Sequence, residues 1–192
     1  ILSMNGLAIV QLRRIGNDFL IGTYPNAMKY IDFMGSLHKS TSRDYLARVN
    51  DKEFPKAKAA KLAKKFDFDY WDGDRRICYG GYKYIPGRWA NVAEKLIEFY
   101  CLDSNSKVLD IGCGKGFLLF EMIKLIPNLK ICGLDFSKYA IANSKKEISD
   151  KLILGNANNL PFEDNYFDLV ISINTLHCLK CIDLERSLIE MQ

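Results

Sequence analysis

The chain has 192 residues, 48% of them hydrophobic and 26% charged, and 27 Lys and Arg against 23 Asp and Glu leave a net charge of +4. That length fits one domain with an extension and excludes two ordinary domains. No apolar run approaches the roughly 20 residues of a membrane span, and the opening ILSMNGLAIVQLRR places its basic residues after its apolar run, the wrong order for a secretory signal, so a cytoplasmic protein is the default.

In chain order, residues 7–24 (LAIVQLRRIGNDFLIGTY) read as two short strands around the turn IGND. The polar stretch 35–42 follows, with His38 as a solvated loop residue, and TSRD marks a helix start. Helices are predicted near 43–50 and 55–66, the second opened by Pro55 in its first turn. Six lysines fall between Lys52 and Lys65 and are followed by Asp67, Asp69, Asp72 and Asp74. Such a balanced pair of charge runs reads as a solvated helix face, so no nucleic-acid partner is expected. Residues 67–87 mix aromatics, glycines and charges without a period and are a loop or lid candidate.

After Pro86 the pattern becomes regular. Trp89, Val92, Ala93, Leu96, Ile97 and Tyr100 keep helical spacing over 88–101. The expected order is then strand 107–112, helix 116–126, strand 130–135, helix 137–148, strand 151–155, strand 167–173 and a helix from about 183. VLDI, ICGL and LVISI are apolar on both faces, which predicts an α/β, doubly wound, Rossmann-like parallel sheet. The six cysteines have irregular spacing and are read as reduced. Cys178 and Cys181 form a CxxC without a second pair or a His-x-x-x-His, so no metal site is assigned.

The glycine turn between the first of these parallel strands and its helix narrows the ligand. Gly112, Gly114 and Gly116, with Cys113 between the first two as a small residue, give GxGxG. A dinucleotide fingerprint puts its third glycine where Phe117 stands, and a P-loop puts Ser or Thr where Gly116 stands, so neither phosphate reader fits. Asp110 places a negative charge beside the loop, which repels a pyrophosphate and suits an ammonium or sulfonium. Asp135 ends the next strand, where a carboxylate accepts from ribose hydroxyls, and Phe136 offers a face to a purine. Asn156, through its amide, and Ala157, through its backbone, can meet an adenine edge. A nucleoside with a cationic, amino-acid-like tail meets these requirements.

VLDIGCGKG, GLDFS, GNANNLPFEDNYFDLVIS and NTLHCL together resemble the successive motifs of class I S-adenosylmethionine-dependent methyltransferases, in the small-molecule branch that includes quinone-biosynthesis enzymes. The resemblance covers about residues 88–192, and it divides the chain into an extension over 1–87 (hairpin, two helices, lid-like loop) and a donor-binding domain over 88–192. It implies S-adenosyl-L-methionine as cofactor and a small-molecule acceptor as partner. Asp110, Gly112 and Gly114 would border the methionine moiety, Asp135 the ribose, Asn156 and Ala157 the adenine, and Asn174 the pocket near the methyl. His177, after the strand that faces the methyl, is the candidate catalytic base. Tyr82, in the lid, and Arg88, at the start of the helix near the methionine end, complete the candidate donor site. Asn156 departs from the Asp usual in the family, but an amide oxygen still accepts from an adenine amino group. The family sheet has seven strands, whereas four are predicted here and strand 167–173 becomes an apolar edge. The expectation is that further C-terminal chain, the hairpin 7–24 or a homo-oligomer covers it. Two other classes share the architecture: a donor-binding module without turnover and an NAD-linked oxidoreductase.

Overall fold

The structure, a computed structural model, describes residues 14–15, 18–19, 32–37 and 45–192. Strands β1 (Arg14–Ile15) and β2 (Asp18–Phe19) pair antiparallel, with Arg14 opposite Phe19 and Ile15 opposite Asp18, as a two-stranded sheet separate from the main one. The rest of the predicted hairpin and His38 lie outside the described residues. Helices α1 (Tyr45–Val49) and α2 (Lys56–Ala63) follow, with Pro55 at the N-cap of α2. The predicted loop 67–87 contains a short helix, α3 (Phe68–Trp71), because the Asp67 carboxylate caps it by accepting from the Phe68 N–H at 2.9 Å.

Helix α4 (Ala90–Tyr100) buries Val92, Ala93, Leu96 and Tyr100, the face its spacing predicts, and ends on Cys101 in the left-handed region. Then come β3 (Lys107–Ile111), α5 (Phe117–Leu125), β4 (Lys130–Asp135), α6 (Lys138–Ala142), β5 (Leu152–Leu154), β6 (Leu169–Ile171) and α7 (Cys181–Glu190). The four strands are all parallel in the order β5-β4-β3-β6. Pairing runs from Lys107 opposite Lys130 to Ile111 opposite Leu134, so β3 and β4 end level and deliver their turns to one edge of the sheet.

One predicted element is corrected. The helix expected over 137–148 stops at Ala142, and a 3-10 turn covers Lys146–Lys151. Asn143 ends it, with its N–H at 3.0 Å and its Nδ2 at 2.9 Å both donating to the Tyr139 carbonyl.

Side chains alternate across the sheet as period two demands. Val108, Ile131, Leu169 and Ile171 pack with α4, α5 and Ile148 on one face. Leu109, Ile111, Leu134 and Val170 pack with Ala157, Leu176 and Met191 on the other. Among the described residues strand β6 is one edge of the sheet, and all three of its side chains are buried between the two core clusters. A cavity of about 430 Å³ lined by Leu160, Phe162, Phe167, Val170 and Met191 lies along that side, away from the glycine turn.

Candidate functional site

The turn from β3 to α5 is drawn against β4: the Gly112 N–H donates to the Leu134 carbonyl at 2.7 Å and the Cys113 N–H to the same oxygen at 3.2 Å. Gly112 and Gly114 have φ of +77° and +58°, where a side chain is strained. Space excludes one as well. A Cβ on Gly112 would sit 1.8 Å from Thr175 Oγ1, and one on Gly114 would sit 2.9 Å from the Trp71 ring.

Two carboxyls lie beside this turn. Asp135 is buried at the end of β4, with Oδ2 accepting from the Gly114 N–H and Oδ1 from the Ser137 N–H, each at 2.7 Å. Burial raises its pKa, against the lowering effect of these two bonds. Asp110 is 4% exposed, and among the described residues its carboxyl has no hydrogen-bond partner. Burial, with the charge of Asp135 adding to it, pushes the Asp110 pKa from 3.8 to about 7. Burial likewise pushes the Cys113 thiol up, which leaves it a poor nucleophile.

Residues 67–87 pack over the turn. Trp71 is 6% exposed, lies on Gly114, and donates from Nε1 to Ser137 Oγ at 2.9 Å. The ring of Tyr79 stacks on Trp71 at 5.4 Å and 2°, and Tyr82 stacks on Phe117 at 5.0 Å and 20°. Burial raises the pKa of Tyr70, Tyr79 and Tyr82, so these phenols stay neutral. At the far end of the segment, the Tyr84 hydroxyl and the Gly87 N–H both donate to the buried Glu121 on α5.

Asp110, Gly112, Cys113, Gly114, Gly116, Asp135 and Tyr82 thus come together around one turn. Asn156 is exposed and bridges Asn159, whereas Ala157 is buried in the second core cluster. Phe136 is 61% exposed, its ring edge-on to Phe66. Asn174 is exposed at φ +57°, next to the Thr175 that contacts Gly112. His177 is exposed on a 3-10 turn (Leu176–Cys178), with Nε2 3.4 Å from Cys178 Sγ. Arg88 is exposed ahead of α4 and forms no ion pair among the described residues, and its charge favours the ionised form of Tyr82. The described residues hold no group of three or more metal-ligating side chains.

Sequence reasoning missed the partners that join the segment to the turn: Ser137, Tyr139, Thr175, and the pair Lys115 with Asp72. A lysine between two glycines was the available signal for the last of these. Its acidic partner, 43 positions away, had none.

Residues 102–189 match the family described as Methyltransferase domain. A demethylmenaquinone methyltransferase of Thermotoga maritima is 33% identical over 111 residues, 57% of this chain and 44% of that protein. A malonyl-[acyl-carrier protein] O-methyltransferase of Bacillus cytotoxicus is 27% identical over 127 residues, 60% of this chain and 41% of that protein. A mouse protein named arginine-hydroxylase NDUFAF5, mitochondrial, is 40% identical over 81 residues, 42% of this chain and 23% of that protein. The chain spans less than half the length of each of these relatives. Residues 102–189 are thus similar to class I S-adenosylmethionine-dependent methyltransferase domains. The site fits that donor, because a buried carboxyl with no hydrogen-bond partner among the described residues, beside a turn with no room for a Cβ, suits a ligand with a cationic group that approaches the backbone closely.

Proposed function

We propose that the protein transfers the methyl group of S-adenosylmethionine to a small-molecule acceptor. The observation that carries this reading is Asp110, a buried carboxyl held at the glycine turn with no cation or donor of its own among the described residues. A buried carboxylate without a partner is costly, and the ammonium or sulfonium of the donor supplies one. In the same reading Asp135 turns to the ribose hydroxyls, Asn156 and Ala157 meet the adenine, Phe136 offers its exposed face to the purine, and Arg88 pairs with the donor carboxylate. The turn residues Gly112, Cys113, Gly114 and Gly116, with Tyr82 above them and Asn174 beside them, border the methionine end.

The bound donor supplies an electrophilic methyl on a cationic sulfur. An acceptor aligned with that methyl would take it and release S-adenosylhomocysteine. An alcohol acceptor also loses a proton, and His177 is the group assigned to take it. Alignment and exclusion of water do the remaining work, and residues 67–87 serve as the cover that excludes it. The division at residue 87, with an extension before it and the donor-binding domain after it, belongs to this reading, as does a cytoplasmic setting. The setting is supported by six unpaired cysteines, and no helix of the described residues is long and apolar enough to cross a membrane.

Calorimetry with S-adenosylhomocysteine, followed by labelled donor and a panel of small acceptors read by mass spectrometry, tests the proposal. Expected are saturable binding, a labelled product, and an affinity lowered about tenfold or more in Asp135→Ala. The relative named for arginine hydroxylation makes a second arm necessary. Binding without any methylated product would favour a donor-binding module, and no binding at all would overturn the donor reading.

A further inference from the structure

The glycine turn contains one cation, Lys115, and the structure turns it away from the floor of the site. Its side chain is buried, and Nζ donates to Asp72 Oδ2 at 2.6 Å and to the Tyr82 carbonyl at 2.9 Å, both in the covering segment. Asp72 gathers two further donors: the Tyr139 hydroxyl of α6 reaches Oδ2 at 2.8 Å, and the Tyr82 N–H reaches Oδ1 at 2.9 Å. The carboxylate therefore ties three parts of the site to one another: the turn, α6, and both arms of the cover.

We propose that Asp72 is a positioning residue for the donor: through Lys115 it latches residues 67–87 onto the glycine turn and holds the turn's ammonium away from a cationic ligand. This rests on the donor reading above. Three physical points carry it. A buried ion pair is a poor device for stability alone, because desolvation offsets most of its attraction, so its use here favours a role in orientation. The residue next to Asp72 is Trp71, which touches Gly114, so the latch fixes the ring that roofs the turn. And the donor's ammonium, which S-adenosylhomocysteine keeps, is repelled by any lysine left unpaired in its own binding turn. Burial alone would raise the Asp72 pKa, but the bonds from Lys115 and Tyr139 outweigh it and keep the group ionised.

The test is a double-mutant cycle on the full chain, with S-adenosylhomocysteine affinity as readout. Asp72→Asn and Lys115→Met should each weaken binding about tenfold or more, and the double variant should be no weaker than the worse single, as two halves of one contact require. Tyr139→Phe removes one hydroxyl only and should weaken binding about two- to threefold at an unchanged melting temperature; with Lys115→Met it carries the test if Asp72→Asn does not fold. Hydrogen exchange separates positioning from support. Added S-adenosylhomocysteine should slow exchange in 67–87 of the wild type, and that slowing should vanish in the latch variants while β3 and β4 keep their protection. Wild-type affinity in the single variants, or losses that multiply in the double variant, would overturn the latch. Failure of the wild type to bind would instead remove the donor reading on which it rests.

Discussion

The floor of the site and its cover are held by different forces. The floor is the parallel ladder of β3, β4 and β6, with Val108, Leu109, Ile111 and Ile171 wholly inaccessible and Leu134 nearly so. Each of these side chains contributes about 1.5–3 kcal/mol by leaving water. Within the cover only Trp71 and Ile77 are buried. The rest is fixed by ring contacts worth about 0.5–1.5 kcal/mol each and by polar contacts to the turn and α5. The floor can therefore be lost only with the fold, whereas the cover can lift at a fraction of that cost. In the proposed reading this division is useful: the groups assigned to the donor would stay fixed while the part assigned to shut out water opens for exchange.

The comparison breaks most readily with one substitution on each side. Gly112→Ala, in the floor, drives a methyl into Thr175 at a left-handed φ and should cost the whole fold about 3 kcal/mol, read as a lowered urea midpoint. Trp71→Ala, in the cover, removes a side chain worth about 3–5 kcal/mol in a cooperative core. It should move the global midpoint by clearly less than that, while exchange in 67–87 accelerates. Equal losses in the two variants would show that floor and cover unfold as one unit.

The two regions also differed in how far the sequence revealed them. The strand VLDI, the spacing of Val92, Ala93 and Leu96, and the order of strand, turn and helix were readable because burial imposes a period on neighbouring residues. The turn was readable because only glycine fits where Thr175 and Trp71 press on the backbone. The cover had no such signal. Lys115 meets Asp72, Trp71 meets Ser137, and Tyr84 meets Glu121 across separations of 43, 66 and 37 positions, and contacts of that kind leave no pattern along the chain. The helix end at Asn143 is local hydrogen bonding, with its N–H and Nδ2 both donating to the Tyr139 carbonyl, and the spacing of apolar residues carries no trace of it.

A smaller effect comes from the charge stored in the floor. The Asp110 carboxyl rises from 3.8 to about 7 on folding, so the folded state binds its proton more tightly than the unfolded chain. Its contribution to stability is thus complete below pH 3.8 and is lost as the pH climbs through about 7, at up to about 1.4 kcal/mol per pH unit. Asp135, also raised by burial, acts in the same direction. Ligand binding has the opposite sign, because the ammonium that S-adenosylhomocysteine keeps needs the carboxylate: its affinity should fall as the pH drops below about 7. Urea midpoints and calorimetry between pH 5 and 8 check both slopes, and Asp110→Asn should flatten them. A cover variant such as Trp71→Ala should leave the stability slope in place, which keeps the two regions apart in a second measurement.

The smallest expected effect lies where cover and floor meet. Arg88 stands between the end of the cover and α4, exposed, without an ion pair among the described residues, yet close enough to Tyr82 for its charge to favour the phenolate. A guanidinium there can take the donor carboxylate with two parallel hydrogen bonds. Because it is solvated, the contact competes with water and salt, and exposed pairs of this kind are worth about 0.2–1 kcal/mol. Arg88→Ala should then weaken S-adenosylhomocysteine about two- to fivefold, and more so at low ionic strength, where screening is weak. Adenosine lacks the carboxylate, so its affinity should not change. Equal losses for both ligands would make Arg88 a support for Tyr82 and hence part of the cover, and a loss confined to the carboxylate-bearing ligand would place it with the floor.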